Sequence, residues 1–134
     1  MPWLRTSILV IALALAAIAA VVTINHRDAV KDRTHRAEVL AHGNAERGQS
    51  LFLAKGCGGC HTLSGGTQAT GLVGPPLDGV AQRAVIAGTL ENTPDNLSRW
   101  IRSPQEIVPG NAMPDLALSE QEARDLAAFL YAKS

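Results

Sequence analysis

Large rings are scarce in this chain: two tryptophans, two phenylalanines and one tyrosine serve 134 residues. A domain so poor in aromatics has little with which to fill a core of its own and calls for apolar surface from elsewhere. Cysteine is as sparse. Only Cys57 and Cys60 occur, three positions apart, so no disulfide framework staples the fold. Twelve Lys and Arg balance twelve Asp and Glu, and the zero net charge excludes a strong pull towards nucleic acid or an anionic surface. No internal repeat or low-complexity segment is present. The length leaves room for one small domain and an appendage.

What is there begins with Cys57-Gly58-Gly59-Cys60-His61. Two cysteines so spaced, with histidine directly after, are what covalent attachment of a c-type haem requires. Each thiol adds across one vinyl group, and His61 is placed to ligate the iron. The two glycines remove bulk where backbone must lie against the macrocycle. Read without haem, the pair is a thiol–disulfide couple or half a zinc site. The first wants a βαβ setting that the pattern does not offer, and the second wants a ligand beyond the two cysteines and His61.

Haem attachment of this kind takes place outside the cytoplasm in bacteria, so an export segment is expected upstream. Ile8 to Ile24 is free of charge, Gly and Pro. Seventeen helical residues rise about 25 Å, near the short end of a membrane span. Arg5 precedes the run, and Trp3 suits the interface. A cleaved signal peptide is the rival, since Ala14-Leu15-Ala16 and Ala17-Ile18-Ala19 resemble cleavage sites. Both lie inside the apolar run, however, and cutting there would leave Val21, Val22 and Ile24 in water. The expectation is an anchor over residues 1–24. Arg27, Lys31, Arg33 and Arg36 follow it, which a simple positive-inside count reads as carboxyl side in. The haem motif demands the reverse: a single pass through the cytoplasmic (inner) membrane, with the domain on the periplasmic or outer face. Residues 25–43 read as a charged stalk, partly helical, and His26, His35 and His42 as solvated.

The domain is expected over 44–134. Asn44 caps a first helix, Ala45 to Lys55, with Gly48, Leu51 and Phe52 on one face. Residues 62–73 read as loop, Gly74-Pro75-Pro76 as extended, and Gln82 to Ala87 as a short helix stopped by Gly88. Thr93-Pro94-Asp95 starts a helix carrying Leu97, Trp100 and Ile101 and ending at Pro104. A proline-bounded loop, Val108 to Pro114, follows. Ser119 to Glu122 forms a capping box for the last helix, whose inner face is Leu126, Phe129 and Leu130. The domain is thus all-α, with long loops that a cofactor would justify. Of two methionines, Met1 begins the export segment, so Met113 is the thioether left to close the second face of the iron. As a soft donor it would raise the potential.

CGGCH, the GPPL run, NTPDNLSRWI, PGNAMP and the terminal LAAFL resemble class I cytochromes c in order and spacing. The stretch from Gly88 to Leu118 is especially similar to the cytochrome c domain fused to the second subunit of certain haem-copper oxidases. The resemblance covers Asn44 to Ser134. It implies that Gly48 and Phe52 pack on Leu126, Phe129 and Leu130, and that the Pro75 carbonyl orients His61. It also implies that Arg83 pairs with a propionate and that Trp100 lies against haem. A surface Arg83 and a plain core Trp100 are the alternatives.

The expected function is that of a monohaem electron carrier and not an enzyme, with one haem c ligated by His61 and Met113. It would serve a respiratory chain, taking electrons from a quinol-oxidising complex and passing them to a terminal oxidase. The alternative is a haem c subunit of a reductase or dehydrogenase complex. No small-molecule substrate or nucleic acid is expected. From Asn44 onward seven Lys or Arg face nine Asp or Glu, so steering is weak and the tether supplies proximity. The docking surface would border the haem edge near Ile107, Val108, Ala112 and Leu116.

Overall fold

The computed structural model describes residues 1–65 and 68–134, and the expected loop at 62–73 lies outside the described residues at 66 and 67. The chain divides into two units, Met1–Asp32 and Arg33–Ser134. Helix α1, Pro2–Ala41, contributes to both.

The first unit is helix alone. Its apolar side chains are exposed, among them Leu9, Leu13, Ile18 and Val22. The few hydroxyls in it bond back to the helix: Thr6 and Ser7 donate to the Trp3 carbonyl at 2.8 and 2.9 Å, and Thr23 donates to Ala19 O at 2.7 Å. Such back-bonding satisfies these hydroxyls without water, as a bilayer core requires. Among the described residues this is the one helix long and apolar enough to cross a membrane.

In the second unit the last turns of α1 bury Ala37 and Ala41. The stretch expected as a partly helical stalk is helix as far as Ala41, and from Arg33 onward it belongs to the folded unit, where alanine on one face lets helices approach closely. Glu38 Oε1 accepts the Ala45 N–H at 2.8 Å and ties α1 to α2, Ala45–Ala54. Asn44 caps α2 by accepting the Arg47 N–H at 2.8 Å. Helix α5, Glu120–Ala132, opens on a full capping box between Ser119 and Glu122. Helices α2 and α5 cross at Gly48, where a Cβ would meet the Asp125 carbonyl and lie 2.8 Å from Phe129 Cβ. Phe52 and Phe129 meet there with ring centroids 5.6 Å apart. Helix α3, Pro94–Arg102, capped by Thr93, packs on α5 through Leu97 and Ile101.

The connecting segment differs from the expected pattern. Thr62–Leu63 (β1) and Ala69–Thr70 (β2) pair antiparallel within the stretch read as loop. Gln82 to Ala87 is not a helix: a 3₁₀ turn ends at Gln82, and Val85–Ile86 (β3) pairs with Leu90–Glu91 (β4). Ala87 and Gly88 both have positive φ, so Gly88 turns a hairpin instead of stopping a helix. β-Branched Val85 and Ile86 suit the extended form. The chain past Pro104 holds one more helical turn, α4, Pro104–Ile107. The architecture is mostly helical, the two small hairpins being accessory.

Candidate haem site

The helices enclose a cavity of about 390 Å³, within the range of cofactor pockets. Its walls are chiefly apolar: Phe52 from α2, Leu97 and Ile101 from α3, and Leu126 and Leu130 from α5. The 3₁₀ turn Cys57–Gly59, which directly follows α2, sets the cysteines at one side. Cys57, Cys60, His61, Pro75, Arg83, Trp100 and Met113 all line this one cavity. They come from five separate stretches of chain.

His61 is held firmly. Its Nδ1–H donates to the Pro75 carbonyl at 2.7 Å. Because a carbonyl only accepts, the proton sits on Nδ1 and Nε2 keeps its lone pair. Gly74 lies against the imidazole so closely that a Cβ there would collide with the ring. Burial pushes the Cys57 thiol up, with the charge of Cys60 adding and a backbone hydrogen bond opposing. That is the reverse of the depressed thiol that disulfide exchange uses. Nor do the described residues contain a group of three His, Cys, Asp or Glu able to hold a metal ion, which a zinc site would require.

Met113 stands half-buried in the loop after α4, between Pro109 and Pro114. Arg83 donates to the carbonyls of Pro76 and Asp78, so its guanidinium is spent partly on the proline run. Trp100 is half-buried, packs on the core and also lines the cavity. Of the expected docking residues, Ala112 and Leu116 line the cavity, while Ile107 and Val108 are half-buried beside it. Two residues escaped the sequence reading. Gln105 and Asn111 bond the backbone of the Met113 loop. Their signal was local: Pro104, Pro109 and Pro114 bring no N–H, and these are the only side-chain amides in the stretch.

The residues present fit haem c. Two thiols stand at one side of an apolar cavity, an imidazole nitrogen and a thioether also line it, and that soft N/S set suits porphyrin iron. Fold and site together define a small, mostly helical haem-binding domain.

Comparison with known proteins agrees. The family described as Cytochrome c matches residues 45–132. Cytochrome c oxidase subunit 2 of Alkalihalophilus pseudofirmus is 42% identical over 88 residues, covering 64% of this chain and 25% of that protein. The subunit 2 of Bacillus sp. strain PS3 is 33% identical over 104 residues, 75% of this chain and 29% of its own length. The chain thus spans about a quarter of the length of these relatives. It belongs to the cytochrome c family, and its role is that of a haem-based electron carrier.

Proposed function

We propose that this chain is a membrane-anchored monohaem cytochrome that carries single electrons in a respiratory chain, from a quinol-oxidising complex to a terminal oxidase. The observation that carries the reading is the convergence of Cys57, Cys60, His61 and Met113 on one apolar cavity. Haem c held there supplies a one-electron couple whose potential His/Met ligation raises. Cys57 and Cys60 would hold the group covalently. His61, fixed by Pro75 and Gly74, would offer Nε2 to its iron, and Met113 would offer its thioether. The chiefly apolar wall would keep reorganisation on electron transfer small.

The apolar run of α1 supports a single-pass anchor in the cytoplasmic membrane, with the domain on the outer or periplasmic face where haem is attached. Likeness to two proteins named as cytochrome c oxidase subunit 2 supports a terminal oxidase as acceptor. With nearly balanced charge, tethering in the partner's plane replaces long-range steering.

Carbon monoxide tests the ligation. The reduced full chain should bind it slowly and incompletely, and Met113→Ala quickly and fully. Fast, complete binding by the parent would show Met113 to be no ligand. Reoxidation of the reduced protein by membranes of its own host, blocked by cyanide, tests the acceptor; reoxidation indifferent to cyanide would count against an oxidase.

A further inference from the structure

The loop that carries Met113 is held by two side-chain amides that form a closed cage. Gln105 Nε2 donates to the carbonyls of Asn111 at 3.0 Å and Met113 at 2.7 Å, while its Oε1 accepts the Gly110 N–H at 3.0 Å. Asn111 Nδ2 donates to the carbonyls of Pro104 at 3.0 Å and Val108 at 2.7 Å, and its Oδ1 accepts the Met113 N–H at 2.8 Å. Every N–H of both amides is used within residues 104–113, and both oxygens as well. Met113 is therefore bonded on its own N–H and its own C=O, each time to one of these two residues.

The arrangement exceeds what a surface loop needs. The cage residues are half-buried, and the prolines at 104, 109 and 114 restrict the chain without donating. An exposed loop would leave such carbonyls to water. Here they are bonded by side-chain amides, which hold both polar atoms of the backbone of Met113, a residue that lines the cavity.

We propose that Gln105 and Asn111 are positioning residues that hold the Met113 thioether in the cavity and so set how readily a competing ligand displaces it. This rests on the reading of Met113 as an iron ligand. Fixing the backbone beforehand removes the ordering cost that Met113 would otherwise meet each time it returned to the iron. Loosening the cage should therefore favour a competitor without touching the donor atom.

The test uses the full haem-loaded chain, with imidazole as competitor for the ferric protein. Gln105→Glu keeps the shape and the acceptor for Gly110 but loses both donors and sets a carboxylate against two carbonyls. Gln105→Leu removes all three bonds at similar volume. With two or more hydrogen bonds lost, each variant should bind imidazole about tenfold or more tightly than the parent. Each should also weaken the long-wavelength absorption band of thioether-ligated ferric haem. Arg47→Met, which breaks an ion pair remote from this loop, is the control; it should lower stability and leave imidazole affinity unchanged. Parent-like affinity and band in both Gln105 variants overturn the proposal, as does an equal rise in the control. A parent that lacks the band and binds imidazole as tightly as Met113→Ala shows instead that Met113 is no ligand. If the leucine variant fails to accumulate, the isosteric glutamate variant decides alone.

Discussion

Asp125 is a buried carboxylate bonded from three residues, and Asp125→Asn tests what those bonds contribute. It is 2% exposed, yet it accepts the Asn44 N–H at 2.7 Å, Arg47 Nε at 2.7 Å and Nη2 at 3.1 Å, and Gln121 Nε2 at 2.9 Å. Burial pushes its carboxyl up, but the hydrogen bonds from Arg47, Asn44 and Gln121, with the Arg47 charge, outweigh burial and hold it below its ordinary value. Arg47 is raised in return, chiefly by its hydrogen bond to Asp125. In the asparagine variant the Asn44 bond can persist on the amide oxygen, whereas an amide N–H comes to face an arginine N–H. Hydrogen bonds to a buried charge are worth about 1.5–3 kcal/mol each. The Arg47 side chain is 62% exposed, so solvent screening reduces the total loss to about 2 kcal/mol. For a domain of this size that is about 10 °C in Tm. Thermal unfolding of parent and variant, followed by circular dichroism across pH, provides the measurement. A carboxyl held below its unfolded-state value contributes its full stability above that value, about 3.9, and loses it as pH falls through the folded-state value. The gap between the two proteins should therefore be complete at pH 7 and close below about pH 4. Glu38, which also acts on Arg47, is present in both proteins and cancels. A gap that is absent at pH 7, or constant down to pH 2, refutes the reasoning.

Two further substitutions probe close approaches. Gly48→Ala drives a Cβ into the Asp125 carbonyl and Phe129 at the crossing of α2 and α5, and should cost about 1–3 kcal/mol in guanidinium unfolding; an unchanged midpoint would mean the helices separate freely. Gly74→Ala pushes on the His61 ring and should lower the yield of covalent haem or shift the reduction potential in redox titration, and parent-like values of both would show that the imidazole has room to move.

What could be read from sequence was local. Asn44, Thr93 and Ser119 announce their helices because a cap is decided within four residues. Leu126, Phe129 and Leu130 mark a buried face because their spacing is helical. The two hairpins were illegible: each strand is two residues long, and pairing across a loop decides its form. Ala37 and Ala41 gave no warning that the end of α1 is buried, since alanine is equally at home in water. At the site, CGGCH and Met113 stood out by chemistry and by count. Gln105 and Asn111 did not, because an amide's role depends on which backbone groups the folded loop turns towards it. The shape of the cavity was likewise out of reach, being made where α2, α3 and α5 meet.

Phe52, Leu97, Ile101, Leu126 and Leu130 belong to the hydrophobic core and are at the same time the cavity wall. A chain without its cofactor would have these side chains facing a void instead of a packed interior. Such a chain would sample open forms often, and proteases act on open forms in proportion to their population. Cofactor loading and survival would then be one and the same selection.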